Sequence, residues 1–568
     1  RSHRPLFVVV PSPCVPISYQ WAPLSRSVDS QFCLPDAASQ PIRINMLFLG
    51  WLIIPEWFIG LALLGIVIYL RATRHKNYWK NQNVPYEKLS LFFGTTLQFM
   101  RKPFHEVEEE LCKKHGRLFG TFEDGRPTLY VAEPELLKYV FVKDFSSLIN
   151  RRIMSFKNRL MRSMIIFAPL ENWRRLRNTT SPAFTTGKLR KMNDMIQECA
   201  RLAAVHMKDT AESKSDENIK KIYSLYALKV ISSCAFGVDV EGKKEEMRAI
   251  VNNSENPFFT RVTFPIALQV LFQNFIGELH VKRFNEKAFE FFRKISLRII
   301  EARKKSQCKY EDLLQMILEA QETQDGETTH NNVQNKESLF HGDSDSNPHT
   351  QMSNHGLTED EVLSQCIIMF LAGLDTSSSV ATYTTYLLAL NPVVQERLRK
   401  EVDECFEKHG DSLNYDIVSK LDYLNAVVCE GLRMYPPGSR LERTPHENYV
   451  LGDTGILIPK GCTIAIPVYA LHHDPELYPD PDTFNPDRFT AENIDSIHPY
   501  AFLPFGTGPR NCLGRRLALQ SVKMALLYAL RSVKFVKTPK TKVPLEFYNG
   551  YGVLSVKDIT VGIRSRDS

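Results

Sequence analysis

Leu47 to Leu70 is an apolar run broken only by Pro55-Glu56, and Ile59 to Leu70 holds nothing but apolar residues and glycine. About 20 apolar residues span a bilayer, and the basic flank that follows (Arg71, Arg74, His75, Lys76, Lys80) belongs on the cytosolic side. No small-residue cleavage site follows the run, which favours a signal-anchor transmembrane helix over 46–70 rather than a cleaved signal peptide. A basic linker over 71–94 then leads into the body of the chain, 95–568. Phe104 to His115 has the spacing of an amphipathic helix, and Arg117 to Val131 alternates like a hairpin around Asp124-Gly125. Residues 188–320 are mostly helical in period, interrupted by the apolar stretch Asn256 to Phe275. Residues 321–356 are polar, with almost no apolar anchors, and predict a disordered surface insertion. Thr358 with Glu361 then fits a capping box, opening an apolar helix that Asn391-Pro392 stops, about 50 Å long at ~1.5 Å per residue. Shorter helices are predicted over Val393–Lys408 and Asp422–Tyr435. Tyr449 to Pro467 reads as strands around the turn Gly452-Asp453-Thr454-Gly455, and Leu517 to Phe535 is again helix-like. The fold class is mainly α with small β-sheets.

Composition adds exclusions. The 568 residues are 43% hydrophobic and 24% charged, enough for a large core, and the net charge of +7 is modest for that size. With no basic run interleaved with aromatics, no nucleic-acid partner is expected. The 11 cysteines lack CxxC pairs and regular spacing, which argues against a zinc site or a disulfide framework. Residues 1–45 are rich in Pro and Ser, show no period, and precede the first methionine, Met46. They read as a non-native or disordered extension.

One segment concentrates chemistry: Phe505-Gly506-Thr507-Gly508-Pro509-Arg510-Asn511-Cys512-Leu513-Gly514. A cysteine on a glycine-rich loop just before a helix can present a thiolate to a soft metal from an open face. Glycines let the backbone pass close to a flat ligand, and the helix start stabilises a sulfur anion. Arg510 stands where it can meet a carboxylate of that ligand. A lone cysteine is more often an inert buried thiol, but this order of residues resembles the haem-thiolate loop of the cytochrome P-450 superfamily at Phe505, Gly506, Gly508, Arg510, Cys512 and Gly514. The resemblance runs from about Trp51 to the end of the chain. Ser181-Pro182-Ala183-Phe184-Thr185 with Lys188-Leu189, Ser233-Cys234-Ala235-Phe236-Gly237 and Asp312-Leu313-Leu314-Gln315 are similar to the microsomal clan that includes the liver drug-oxidising family and thromboxane synthase.

That resemblance implies roles. Cys512 becomes the axial ligand of heme b, with Phe505 and Gly514 against the cofactor. Ala372-Gly373-Leu374-Asp375-Thr376 by itself reads as a mild helix kink with a threonine hydroxyl bonding back one turn. In the resembled family the motif crosses the haem face opposite the thiolate: Gly373 makes room for dioxygen, Thr376 holds bound oxygen or water, and Asp375 relays protons. Glu430 and Arg433, alone a helix-surface pair worth ~0.2–0.5 kcal/mol, become a buried structural ion-pair set with Arg488. Trp173, Arg177, Arg151, Arg443 and Arg510 become partners of the haem propionates. Arg174, Arg175, Arg515 and Arg516 would form a basic patch for an acidic electron donor.

The function implied is monooxygenation of a lipophilic small molecule of xenobiotic, steroid or fatty-acid class. Its electrons come from NADPH-cytochrome reductase, with cytochrome b5 as a second candidate donor. The protein is expected in the endoplasmic reticulum membrane, single-pass, with its catalytic body facing the cytosol. Asn256 to Phe275, carrying Phe258, Phe259, Phe264, Phe272 and Phe275, is too short and broken to span. It reads either as core or as a segment dipping into the bilayer surface. A haem-thiolate isomerase acting on a lipid peroxide and a non-enzymatic haem sensor or lipid binder are the alternatives; the Asp375-Thr376 pair argues against both.

Overall fold

The computed structural model describes residues 46–49, 52–88, 95–123, 126–152, 158–213, 216–238, 286–305, 312–322, 356–549 and 553–566. The extension 1–45, the apolar stretch Asn256 to Phe275 and nearly all of the polar insertion 321–356 lie outside the described residues. The chain divides into two compact units, Arg1–Val67 and Ile68–Ser568.

In the first unit, Met46–Leu49 pairs antiparallel with Leu52–Pro55. A helix, Glu56–Thr73, begins immediately after Pro55. The helix therefore takes up only the later part of the run predicted helical over 46–70. Pro55 has no N–H for a helical ladder, and the Leu and Ile residues before it suit a strand as well as a helix. The helix leaves Trp57, Phe58, Leu61, Leu63, Ile66 and Leu70 exposed. Among the described residues the one helix long and apolar enough to cross a membrane is Glu359–Leu390, and most of its apolar window is buried in the protein.

That helix organises the second unit. Its 32 residues start at a reciprocal cap: Glu361 N–H donates to Thr358 Oγ1 at 3.3 Å, and Thr358 N–H donates to Glu361 Oε2 at 2.9 Å. It packs on Ile219–Phe236, Glu286–Lys305, Arg159–Ser163, Asp422–Met434 and Arg515–Ser532. From Ser378 to Ala389 every residue is buried, so this half shows no polar stripe. Several of its hydroxyls are satisfied locally or by loops: Thr382 donates to the Ser378 carbonyl at 2.6 Å, Tyr383 to Leu554 O at 2.9 Å and Tyr386 to Lys542 O at 3.0 Å, whereas Ser379 Oγ and Thr384 Oγ1 are buried without a partner among the described residues. One apolar core lies around this half with Thr186–Glu212, Pro392–His409 and Arg515–Ser532. A second surrounds the other half with Glu286–Lys305 and Leu313–Glu322.

The predicted hairpin is present: Leu118–Glu123 pairs with Arg126–Val131, Thr121 opposite Thr128. Arg126–Val131 then runs parallel to Thr463–Ile466, which pairs with Leu441–Arg443, closing a four-stranded sheet. Trp79 is fully buried against this sheet. Its indole N–H donates to Thr121 O at 2.9 Å, and a Cβ on Gly120 would come within 2.3 Å of its ring. Gln82 brackets Leu457 in the two-stranded hairpin Tyr449–Val450/Leu457–Ile458, accepting its N–H at 2.7 Å and donating to its carbonyl at 3.2 Å. The linker predicted over 71–94 is thus docked on the body at Trp79 and Gln82. The helix-like run Leu517 to Phe535 is helix only through Ser532; Val533–Val536 turns to strand and pairs with Thr560–Ser565.

Candidate functional site

The Phe505–Gly514 segment is a loop tied across itself. Gly506 N–H donates to Leu503 O at 3.1 Å, Asn511 N–H to Gly508 O at 3.1 Å, and Cys512 N–H to Phe505 O at 2.9 Å. These turns place Gly506 at φ 67 and Gly508 at φ 72, in the left-handed region. Gly508 has a second constraint: a Cβ there would lie 2.1 Å from the Phe141 carbonyl oxygen. Gly514 is less constrained, since an added Cβ would meet only Phe184 at 3.8 Å. Cys512 then precedes the helix Arg515–Ser532 by three positions.

The Cys512 thiol opens onto a cavity of about 410 Å³, while protein crowds it on its other sides. That crowding raises its pKa. A hydrogen bond from the Gly514 backbone and the charges of Arg177, Arg151 and Arg515 act in the opposite sense and favour the thiolate. Phe505, Arg510 and Gly514 line the same cavity. Much of the remaining wall is aliphatic, including Ile165, Ile166, Ile231, Ile368 and Val380.

The long helix contributes Gly373 and Thr376 to the wall. Thr376 Oγ1 donates one turn back to the Ala372 carbonyl at 2.6 Å, which leaves its lone pairs free to accept. At Gly373 a Cβ would stand 2.8 Å from Ile231 Cδ1, so this glycine also permits a close approach of the neighbouring helix. Asp375, paired with Thr376 by sequence, is separated from it here. It is not part of the cavity wall, and its carboxylate meets Lys220 Nζ at 3.0 Å.

Arginines gather on another part of the wall. Arg151, Trp173, Arg177 and Arg510 line the cavity; Arg443 is buried but does not reach it. Arg177 donates to the carbonyl and side-chain oxygens of Asn511, at 3.0 and 2.7 Å. Arg510 donates to the carbonyls of Ile149 and Ala168, with its guanidinium 5.1 Å from the Trp173 ring centre. Arg443 donates to Glu442 O at 2.9 Å and lies 4.8 Å from the Phe141 ring centre. Among the described residues none of Arg151, Arg177, Arg443 and Arg510 has a carboxylate partner, and Nε of both Arg443 and Arg510 is buried without an acceptor. Burial and the like charge of Arg151 push Arg510 down to about 9, and burial with the like charges of Arg151 and Arg510 holds Arg443 well below its ordinary value. Buried cations without counter-charge are unstable unless an anion joins them, so the cluster fits a ligand that carries carboxylates. Asn511, the partner of Arg177, went unnoticed in the sequence because nothing local aims it at a residue so distant.

The expected basic patch is altered: Arg175 is committed to the Glu361 carboxylate and to Gly356 O at 2.7 Å. Arg174 remains exposed. Arg516 donates to Thr186 Oγ1 at 3.3 Å, and Arg515 lies 5.9 Å from the Phe505 ring centre.

The structure does bring Glu430, Arg433 and Arg488 together. Glu430 and Arg433 are fully buried and share two hydrogen bonds, Nε to Oε2 at 2.7 Å and Nη2 to Oε1 at 2.8 Å. Arg488 Nε stands 3.5 Å from Glu430 Oε1. Arg433 also donates to the carbonyls of His472 and Pro481, and Asn485 N–H donates to Glu430, so the pair is satisfied on most sides.

The sequence model of the family described as Cytochrome P-450 matches residues 84–560. The chain is 33% identical over 527 residues to cytochrome P-450 3A2 of Rattus norvegicus, covering 90% of this chain and 97% of that protein. It is likewise 33% identical over 526 residues to cytochrome P-450 3A41 of Mus musculus, with the same coverage. Against cytochrome P-450 3A7 of Homo sapiens the identity is 32% over 522 residues, covering 90% and 97% of the two chains.

Proposed function

Because the chain belongs to the cytochrome P-450 family, and is with it a haem-thiolate monooxygenase, we propose that Cys512 supplies the axial thiolate to a haem seated in the cavity it lines. The observation that carries this assignment is the unneutralised set Arg151, Arg177, Arg443 and Arg510 beside the same cavity as the cysteine. Bound there, haem supplies the activation of dioxygen and the insertion of one oxygen atom into a lipophilic substrate, with electrons from NADPH through a flavoprotein reductase. The thiolate favours O–O cleavage by pushing electron density toward the iron.

The chain's own residues hold and complete the site. Arg151, Arg177, Arg510 and the Trp173 indole are the donors for the propionates, with Arg443 adding positive charge behind them, and an Arg fork meets a carboxylate through two parallel bonds. Phe505 and Gly514 form the wall beside the sulfur. Thr376, already donating to Ala372, accepts from a water or hydroxyl in the cavity and keeps that proton in place. Asp375 must leave Lys220 before it can exchange protons with the cavity. Glu430, Arg433 and Arg488 fix the backbone beneath the loop and take no part in the chemistry. The test is the carbon-monoxide difference spectrum of the reduced protein: a band at about 450 nm is expected, and a band at about 420 nm in folded protein would reject thiolate ligation.

The membrane assignment draws on the helix Glu56–Thr73. Its apolar stretch from Trp57 to Leu70 extends about 21 Å at ~1.5 Å per residue, short of a full hydrocarbon core by itself. Its exposed apolar side chains support a single-pass anchor in the endoplasmic reticulum membrane, with the body in the cytosol and Asn256 to Phe275 at the bilayer surface. Arg174, Arg515 and Arg516 remain as a surface for the reductase and for cytochrome b5.

A further inference from the structure

His472 closes the short helix Val468–His472 and is fully buried. The Leu503 N–H donates to its Nε2 at 2.9 Å. A ring nitrogen that accepts carries no proton, so the imidazole proton sits on Nδ1, 3.2 Å from the Arg433 carbonyl, to which it donates. Arg433 returns a bond of its own, Nη1 to the His472 carbonyl at 2.8 Å. The ring is therefore neutral, in one tautomer, and held at both nitrogens. Burial, with the neighbouring charges of His473 and Arg433, keeps its pKa well below the ordinary range.

What lies at either end gives this arrangement its meaning. Arg433 is locked in the buried pair with Glu430. Leu503 begins the entry to the cysteine loop: its carbonyl accepts from Gly506, and the next turn is closed by Cys512 N–H on Phe505 O. Phe502, beside Leu503, stacks on the His472 ring with centres 5.5 Å apart. We infer that His472 is a positioning residue for Cys512, its neutral imidazole carrying the fixed position of the Glu430–Arg433 pair to the backbone from which the cysteine loop hangs. The inference rests on the reading of Cys512 as the haem ligand. It touches neither substrate nor cofactor; it acts through Leu503.

Three variants of the full haem-loaded chain test it. In His472→Gln an amide oxygen reaches the place of Nε2 and still accepts from Leu503. In His472→Asn the shorter amide reaches only the place of Nδ1, and in His472→Leu both bonds are lost at similar volume. We expect H472N and H472L to speed hydrogen exchange in a peptide spanning Leu503–Cys512 by about tenfold or more, with the Glu359–Leu390 helix unchanged. The same two variants should move part of the reduced carbon-monoxide band from about 450 to about 420 nm, whereas H472Q should retain wild-type exchange and spectrum. Wild-type behaviour in H472L and H472N, or failure of H472Q alongside them, would overturn the inference. A wild-type protein with no thiolate band would overturn the reading of Cys512 and this inference with it.

Discussion

The hydrogen bond from Cys512 to Phe505 uses the backbone N–H, so Cys512→Ser keeps that bond and exchanges the sulfur that accepts from Gly514 for an oxygen. The expected product is a folded protein with neither the thiolate spectrum nor monooxygenase turnover, because a hydroxyl is a far poorer ligand than a thiolate for this iron; retained turnover would show that another residue holds it. Thr376→Ala should keep haem and substrate binding but lose the hydroxyl that holds a proton in the cavity. Product formed per NADPH oxidised should fall by about tenfold, with the remainder appearing as peroxide; unchanged coupling would remove Thr376 from proton delivery. At this scale the sequence was informative where residues that line one cavity are nearly consecutive, as from Phe505 to Gly514. It was uninformative where a role depends on a distant partner. Asp375 and Thr376 are adjacent in sequence yet face different surroundings, because Lys220 on another helix claims the carboxylate. Arg443 is buried just short of the cavity it was expected to line, and no local pattern encodes that depth.

Between elements, the sheet edge shows how one cation is divided among several acids. Arg440, on the loop before Leu441–Arg443, donates to both oxygens of Glu123 at 3.0 Å and to Glu108 Oε1 at 3.1 Å. Glu123 also holds Arg152 and is drawn down to about 2, whereas Glu108, fully buried with Oε2 lacking a donor, is pushed up to about 8. Desolvation is the main cause of the Glu108 shift, and a share of one guanidinium does not offset it. Folded Glu108 thus keeps a proton that the unfolded chain releases near 4.5. Stability falls as pH rises from that value toward about 8, by up to about 1.4 kcal/mol per pH unit from this group. Glu108→Gln should therefore gain on wild type in urea unfolding between about pH 5 and about pH 8, and a constant difference over that window would contradict the assignment. Capping residues and prolines made several element ends legible: Thr358, Glu361 and Asn391-Pro392 bound the long helix nearly as predicted. The Leu517 run was misjudged past Ser532 because Val533 to Val536 is equally apolar, and only its pairing with Thr560–Ser565 makes it strand. The membrane-proximal run was misjudged in the same way ahead of Pro55.

For the molecule as a whole, the fold class was legible because a long buried helix, a capped start and short strand signals leave few other architectures. Which segment touches lipid was less so, since exposed apolar surface and core share one composition. Removing residues 46–75 should weaken membrane binding without abolishing it, if Asn256 to Phe275 lies at the interface. Phe258, Phe259 and Phe264→Ser in that truncated form should then release more protein into the soluble fraction; complete solubility before those replacements would remove the segment from the bilayer. Where such a truncation is made matters more than the linker's polar composition suggests. Trp79 belongs to the sheet's interior, over the notch left by Gly120. Trp79→Ala should cost ~3–5 kcal/mol, measured as a lowered denaturation midpoint. The shortest self-sufficient catalytic fragment accordingly begins no later than Tyr78. A recombinant chain or protease product that starts at Asn81 would carry an indole-shaped hole, and its failure to fold would say nothing about whether the enzyme needs a membrane.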